Sequence, residues 1–302
     1  MANPRVVIVH RRTELQELLD RHATRGQAEF FLRTRGRTIE SVQDRHDHLQ
    51  DSLATFRAAI PSDWRRAEVE RADLSRFLLA PEDIIAVVGQ DGLVANVAKY
   101  LSGQPVLGID PEPGANPGIL VRHTVAYAVR ILQRLGQPAT GALPVADCEQ
   151  LPTVTAELDD GQQLSGLNEI FIGHASHQSA RYLLRTPGGG TERQSSSGLI
   201  VSTGTGATGW CASIALERGG RTLPRPVDRK LAWFVREAWP SPITGTTLTE
   251  GSLEAAEALT VTVASDQLVV FGDGMEEDRL TATWGQEIKV RLGDRPLQLI
   301  TA

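Results

Sequence analysis

The residues best suited to chemistry lie in four short stretches. Gly89-Gln90-Asp91-Gly92 sets an acid between glycines directly after the apolar run Ile84 to Val88. A strand that turns through glycine into a helix gathers backbone N–H groups and the positive helix terminus around one point, which suits phosphate or another anion. Asp91 is out of place in a plain anion site, and an acid beside one points to chemistry on a hydroxyl group or a metal ion. Asn168-Glu169 precedes the apolar Ile170-Phe171-Ile172. An Asn amide donates and accepts at once, as an adenine edge or another amide requires. Ser202 to Gly209 is made of Ser, Thr, Gly and Ala and runs through Trp210 towards a helix carrying Ser213. Such a loop offers backbone donors and hydroxyls without bulk. Phe271-Gly272-Asp273-Gly274 places a second Asp between glycines after a strand. Each stretch also has an ordinary reading, as a solvated turn or a hairpin connection.

Two other patterns carry less. Gly204-Thr205-Gly206-Ala207-Thr208-Gly209 matches the letters G-x-G-x-x-G, but a dinucleotide fold of that type needs a following strand that ends in an acid about 20 residues on. Asp228 has the spacing, and the RTLPRPVDRK around it is Pro-rich and basic, not a strand. His46 and His48 are two apart on a predicted helix and face different directions, whereas a metal pair wants neighbours three or four apart. His174 and His177 have the better spacing but no partner ligand in sequence. No residue is assigned to a metal.

The elements that must position these residues fall into two kinds. Val6 to Val9, Ile84 to Val88 and Pro105 to Ile109 read as short buried strands. Between them lie a helix from Thr13 ending before Gly26, another from about Ile39 to Ala59 with its apolar residues near one face, and a charged connection or edge strand in Ser62 to Ser75. Leu93, Val94, Val97, Ala98 and Leu101 recur at helical spacing after the first stretch, and a further helix is expected from about His123. Strand–helix alternation predicts a parallel α/β sheet. After Gly141 the character changes. From Pro152 onward short β segments divided by turns predict an all-β domain, with Gly188-Gly189-Gly190 as a hairpin connection. Trp233, Phe234 and Trp239, in the Pro-bracketed passage from Pro224 to Pro242, are expected to fill core rather than to bind ligand.

Composition bounds the rest. A chain of 302 residues exceeds the size at which one core splits, so two domains are expected. Its 41% hydrophobic and 23% charged residues fit an ordinary globular protein, and a net charge of −6 argues against a nucleic-acid partner. Two cysteines, Cys148 and Cys211, make no disulfide framework. No apolar run approaches a membrane span, and the first strand begins too early for a targeting segment, so the expected location is cytoplasmic.

Taken in order, the four stretches resemble the NAD kinase family, from about Ile84 to Gly274. VVGQDGLVANVA is similar to that family's GGDGT loop and following helix, and VLGIDPEP to its Gly-Ile/Val-Asn strand and acidic proline turn. GLNEIFIG resembles its Asn-Glu motif, and SSSGLIVSTGTGATGW its Gly-Leu…Ser-Thr-x-Thr-Gly loop. The Gly-Thr-Gly form and the GIDPEP turn are most similar to the mitochondrial-type branch. The resemblance implies an α/β nucleotide-kinase domain of the diacylglycerol-kinase type over 1–122 and an all-β, sandwich-like NAD-binding domain over 123–302. It implies phosphoryl transfer from ATP, with Mg²⁺, to the adenosine-ribose 2′-hydroxyl of NAD, with Asp91 as general base. Binding residues expected from it are Gly89, Gln90, Gly92, Asn168, Glu169, Thr205, Thr208, Gly209, Trp210, Ser213 and Asp273. NAD and ATP are the expected partners, and a homo-oligomer, dimer or tetramer, the expected assembly. Gln90 and Leu93 depart from the family's second glycine and its threonine, and Ala207 and Trp210 replace a usual polar residue and a tyrosine. Those departures keep open a catalytically weak dinucleotide-binding sensor or regulator. A lipid or other small-molecule kinase of the related type is the third reading.

Overall fold

The computed structural model describes residues 4–115, 118–135 and 148–301. The change of character after Gly141 falls outside the described residues. The chain divides into two units, Met1–Glu149 with Gln298–Ala302, and Gln150–Leu297.

In the first unit, β1 (Arg5–His10) leads to α1 (Glu14–His22), α2 (Arg25–Arg33) and α3 (Ile39–Ala59). Next come β2 (Arg65–Glu70), β3 (Ile84–Val88), α4 (Asp91–Ala98), β4 (Pro105–Asp110), β5 (His123–Thr124), α5 (Val125–Leu135) and β6 (Cys148–Leu151). The sheet order β2-β1-β3-β4 continues through the chain's last strand, Leu297–Ile300, to β6, with β5 beside β4. From β2 to β4, and from β4 to β5 and the last strand, the pairing is parallel. Val6–Val9 and Ile84–Val88 are buried throughout, as unbroken apolar runs covered on both faces must be. At the edge, β2 is the charged RRAEVE, which discourages pairing with another strand.

Leu53 and Phe56 of α3, with Ala128, Ile131 and Leu132 of α5, pack on Val6, Ile8, Leu107 and Ile109 of the sheet. Leu15, Leu18, Ala28, Leu32, Ile39 and Val42 make a satellite core among α1 to α3. The helix predicted to end before Gly26 stops sooner, at a left-handed Ala23. Thr24 then caps α2, a helix the periodicity does not reveal, and Gly26 lies in its first turn. The helix expected from His123 starts at Val125, because His123 and Thr124 are drawn into pairing with β4.

The second unit is all-β apart from one helix and short turns. Its strands are β7 (Val154–Leu158), β8 (Gln163–Gly166), β9 (Glu169–Gly173), β10 (Ala180–Arg185), β11 (Thr191–Ser196) and β12 (Gly198–Ser202). After α6 (Trp210–Glu217) follow β13 (Leu231–Arg236), β14 (Glu250–Leu253), β15 (Ala258–Val263), β16 (Gln267–Gly272), β17 (Met275–Thr283) and β18 (Glu287–Leu292). Two sheets, β11-β10-β15-β18-β7-β8 and β14-β13-β12-β9-β16-β17, enclose one apolar core and make a β-sandwich. Period-2 alternation sends Ile170, Ile172, Leu199 and Val201 into that core. Phe171, Ile200, Ala232 and Phe234 face the other way and are covered by Cys211, Ile214 and Ala215 of α6.

The Pro-bracketed passage contains a central strand, β13, which puts Trp233 in the sandwich core and Phe234 beneath α6. Trp239 is 69% exposed, contrary to the expectation that it fills core; the chain has by then left the sheet. Among the described residues no helix is long and apolar enough to cross a membrane.

Candidate functional site

In the first unit the site grows from the end of β3. The N–H of Gly89 donates to the Ile109 carbonyl at 3.0 Å, fixing where the strand stops. Gln90 is the N-cap of α4 with an extended backbone (φ −109°, ψ 164°), a conformation that does not demand glycine. Its side chain is exposed and makes no capping bond. Leu93 is buried beneath the turn and packs against Gly89. Where a hydroxyl near phosphate is expected, this chain therefore has a packing residue.

Asp91 reaches away from its own helix. Its Oδ2 accepts the N–H of Ile119 at 2.7 Å, and its Oδ1 accepts those of Leu120 and Val121 at 3.0 and 2.9 Å. Gly118 completes the contact, since a methyl there would collide with Oδ1. Three consecutive amides converge on one carboxylate, and a carboxylate has about four acceptor positions, so Oδ2 keeps one. Asp91 is half-exposed and Gly92 beside it is exposed, with nothing near the position of an added Cβ.

The second unit repeats the device with different parts. Asp273 and Gly274 form the β16–β17 turn with φ of 56° and 66°, the left-handed pair that two-residue hairpins favour. Oδ2 of Asp273 accepts the N–H of Leu167 at 2.9 Å, and its Oδ1 accepts those of Asn168 at 2.7 Å and Glu169 at 3.4 Å. The N–H of Asp273 donates back to the Glu169 carbonyl. From the other side, the Asn168 carbonyl accepts the N–H of Thr203 at 2.9 Å and the Ser202 hydroxyl at 3.2 Å. Thr203 donates its own hydroxyl to the Leu167 carbonyl at 2.6 Å. The Asn168 backbone is thus held from both flanks. Its side-chain amide, half-buried, makes no hydrogen bond among the described residues.

The Ser/Thr/Gly loop is folded tightly around this anchor. An added methyl at Gly206 would strike the Asn168 carbonyl, and one at Gly204 the Arg225 carbonyl. These glycines serve backbone packing, which explains why the letters of a phosphate fingerprint appear in a β domain. Thr205 is buried and its hydroxyl has no partner among the described residues, whereas the Thr208 hydroxyl donates to the Thr205 carbonyl at 2.9 Å. Gly209 and Ser213 are exposed. Trp210, 38% exposed, stacks on Phe171 with ring centres 6.0 Å apart, and the Arg236 guanidinium lies 5.1 Å from its ring centre. Cys211, buried under the loop, has its thiol pushed up to about 11 by burial and is not a reactive thiolate.

The expected residues therefore fall into two groups. Gly89, Gln90, Asp91 and Gly92 belong to the first unit and gather with Ile119–Val121. Asn168, Glu169 and Asp273 meet directly in the second unit, and Ser202 and Thr203 join them to the loop carrying Thr205, Thr208, Gly209, Trp210 and Ser213. Gly118, Ile119–Val121 and Arg236 carry no signal in the sequence, because their contacts are made by backbone groups or by a lone arginine. Ser202 and Thr203 belong to the hydroxyl run that the sequence singles out, but not as the residues that hold the Asn168 backbone. His46 bonds Thr13 and His174 bonds Ser176, and among the described residues no group of three or more His, Cys, Asp or Glu side chains could hold a metal ion.

No protein-family model matches this chain. It is similar to the protein named NAD kinase of Methylococcus capsulatus, 29% identical over 72% of this chain and 71% of that one. It is 25% identical to human NAD kinase 2, mitochondrial, over 70% of this chain and 58% of that protein. The rat protein of the same name is 24% identical over 70% of this chain and 60% of its own length. The chain thus spans somewhat under two thirds of the mammalian relatives. Together these similarities support the NAD kinase family without singling out the mitochondrial branch from the bacterial one.

Proposed function

We propose that the chain is an NAD kinase, transferring the terminal phosphoryl group of ATP to the adenosine-ribose 2′-hydroxyl of NAD to give NADP. The observation that carries this reading is its similarity to three proteins named NAD kinase across about 70% of the chain. Several features of the two units support this reading. Asn168 offers a pinned backbone and an unengaged amide for adenine, with Glu169 beside it for the neighbouring part of the dinucleotide. Thr205, Thr208, Gly209, Trp210 and Ser213 are the proposed lining, the buried Thr205 hydroxyl being ready to bond a ligand and Trp210 to stack on a base.

Asp91 is the proposed general base, taking the hydroxyl proton on the acceptor position that Oδ2 keeps. Its three backbone bonds hold the carboxylate in place, and positioned base catalysis contributes roughly 10²–10⁴-fold. The turn Gly89–Gly92 at the head of α4, exposed at Gln90 and Gly92, is the proposed place of the polyphosphate, with helix N-terminal donors and the Gln90 amide at hand. Mg²⁺ bound together with ATP would supply charge neutralisation for the transfer. The similarity of GIDPEP and Gly-Thr-Gly to the mitochondrial-type branch, a homo-oligomeric assembly and a cytoplasmic setting for Cys148 and Cys211 belong to the same proposal.

Purified protein given ATP, Mg²⁺ and NAD forms NADP on this reading, and an inorganic polyphosphate arm identifies the donor. Absence of NADP with either donor, unchanged by Asp91→Asn, refutes the kinase reading. Gln90 and the buried Leu93 favour one second reading, a dinucleotide-binding sensor, which is what remains if NAD binds in that experiment without turnover.

A further inference from the structure

We infer that Asp273 is a positioning residue that aims the Asn168 side chain at a bound nucleotide base without itself needing to touch the ligand. The inference rests on the NAD-binding reading above and concerns how that specificity is built.

A two-residue hairpin turn needs residues that tolerate positive φ, and glycine or asparagine meets that need without a charge. Asp273 does more than close its turn. Its carboxylate crosses to a segment 104 to 106 positions earlier and takes the N–H groups of Leu167, Asn168 and Glu169. Backbone amides converging on one carboxylate form a strong, charge-assisted anchor. Gly166 sits against the same carboxylate, where an added methyl would lie 3.1 Å from Oδ1. Ser202 and Thr203 hold the Asn168 carbonyl opposite. Both peptide groups of Asn168 are therefore fixed before any ligand arrives, while its side-chain amide makes no bond among the described residues. Fixing the backbone and leaving the amide open lowers the ordering cost of recognition.

Asparagine at 273 keeps the turn and the volume but replaces one oxygen with an NH₂ group. That group must then face either Leu167 N–H or the Asn168 and Glu169 N–H groups, donor against donor. One side of the anchor is lost, and Asn168 is released while its own amide remains intact.

The test is a double-mutant cycle on NAD affinity, by calorimetric titration of the whole chain, with melting temperatures recorded alongside. Asn168→Ala and Asp273→Asn each weaken NAD binding about tenfold, the value of one hydrogen bond, and the double variant binds no more weakly than Asn168→Ala alone. Asp273→Ser repeats the cycle with a different loss of the anchor. A folded Asp273 variant that binds NAD like wild type, or factors that multiply in the double variant, overturns the inference, as does failure of both Asp273 variants to fold, which assigns Asp273 to stability alone. If the wild type does not bind NAD, the dinucleotide reading falls first and takes this one with it.

Discussion

The turn after β3 and the turn after β16 use the same chemical device for different ends. In each, an aspartate next to glycine accepts three consecutive backbone N–H groups from a segment that is distant in sequence. What they hold differs. Asp91 grips Ile119-Leu120-Val121, whose Leu120 and Val121 side chains are buried, so the held segment is scaffold and the half-exposed carboxylate is the proposed working group. Asp273 grips Leu167-Asn168-Glu169, where the held segment carries the side chain proposed to meet the base. On the proposed reading, a carboxylate bound by amides is a functional group in one unit and a support in the other, and only its surroundings distinguish the two.

That contrast can be broken by experiment. The largest expected effect is on Asp91→Asn, which lowers turnover roughly 10²–10⁴-fold while leaving NAD affinity nearly unchanged. Asp273→Asn does the reverse, acting on affinity. Next is Gly118→Ala, whose methyl collides with Asp91 Oδ1. It costs about 1–3 kcal/mol in denaturant unfolding and, by shifting the carboxylate, up to about 10²-fold in turnover. Gly92→Ala is its counterpart, since space there is open. Its stability stays within about 0.5 kcal/mol of wild type, and turnover drops only if substrate comes close to that backbone. Asn168→Ala follows, with about tenfold weaker NAD binding and unchanged affinity for ATP. The smallest effect is expected from Gln90→Gly. If its side chain crowds the polyphosphate, ATP binds a few-fold more tightly; weaker binding instead shows that the Gln90 amide donates to ATP.

Much of this was readable from residue order alone, because burial leaves a periodic trace. The runs Val6–Val9 and Ile84–Val88 read as short buried strands, and the facing of α3 follows from Val42, Leu53 and Phe56. What stayed hidden is backbone chemistry. Nothing in the letters of Ile119-Leu120-Val121 announces that their N–H groups bind Asp91, nor does Gly118 advertise that it makes room for a carboxylate. The break between α1 and α2 is equally silent, since it falls at an alanine in a left-handed conformation. Trp239 misled for a different reason: its neighbours Trp233 and Phe234 lie on β13 and are buried, but its own position is past the strand. In the Ser/Thr loop, the letters were legible and their cause was not, because Gly204 and Gly206 exist to admit carbonyl groups.

The central claim, that Asp91 is the chemical group and the second unit the binding surface, is tested most directly by one paired measurement on Asp91→Asn. NADP formation and NAD affinity are determined on the same folded preparation and compared with wild type. The account predicts turnover reduced at least about 100-fold with NAD affinity within about threefold of wild type. Turnover equal to wild type, or loss of turnover matched by an equal loss of NAD affinity, contradicts it.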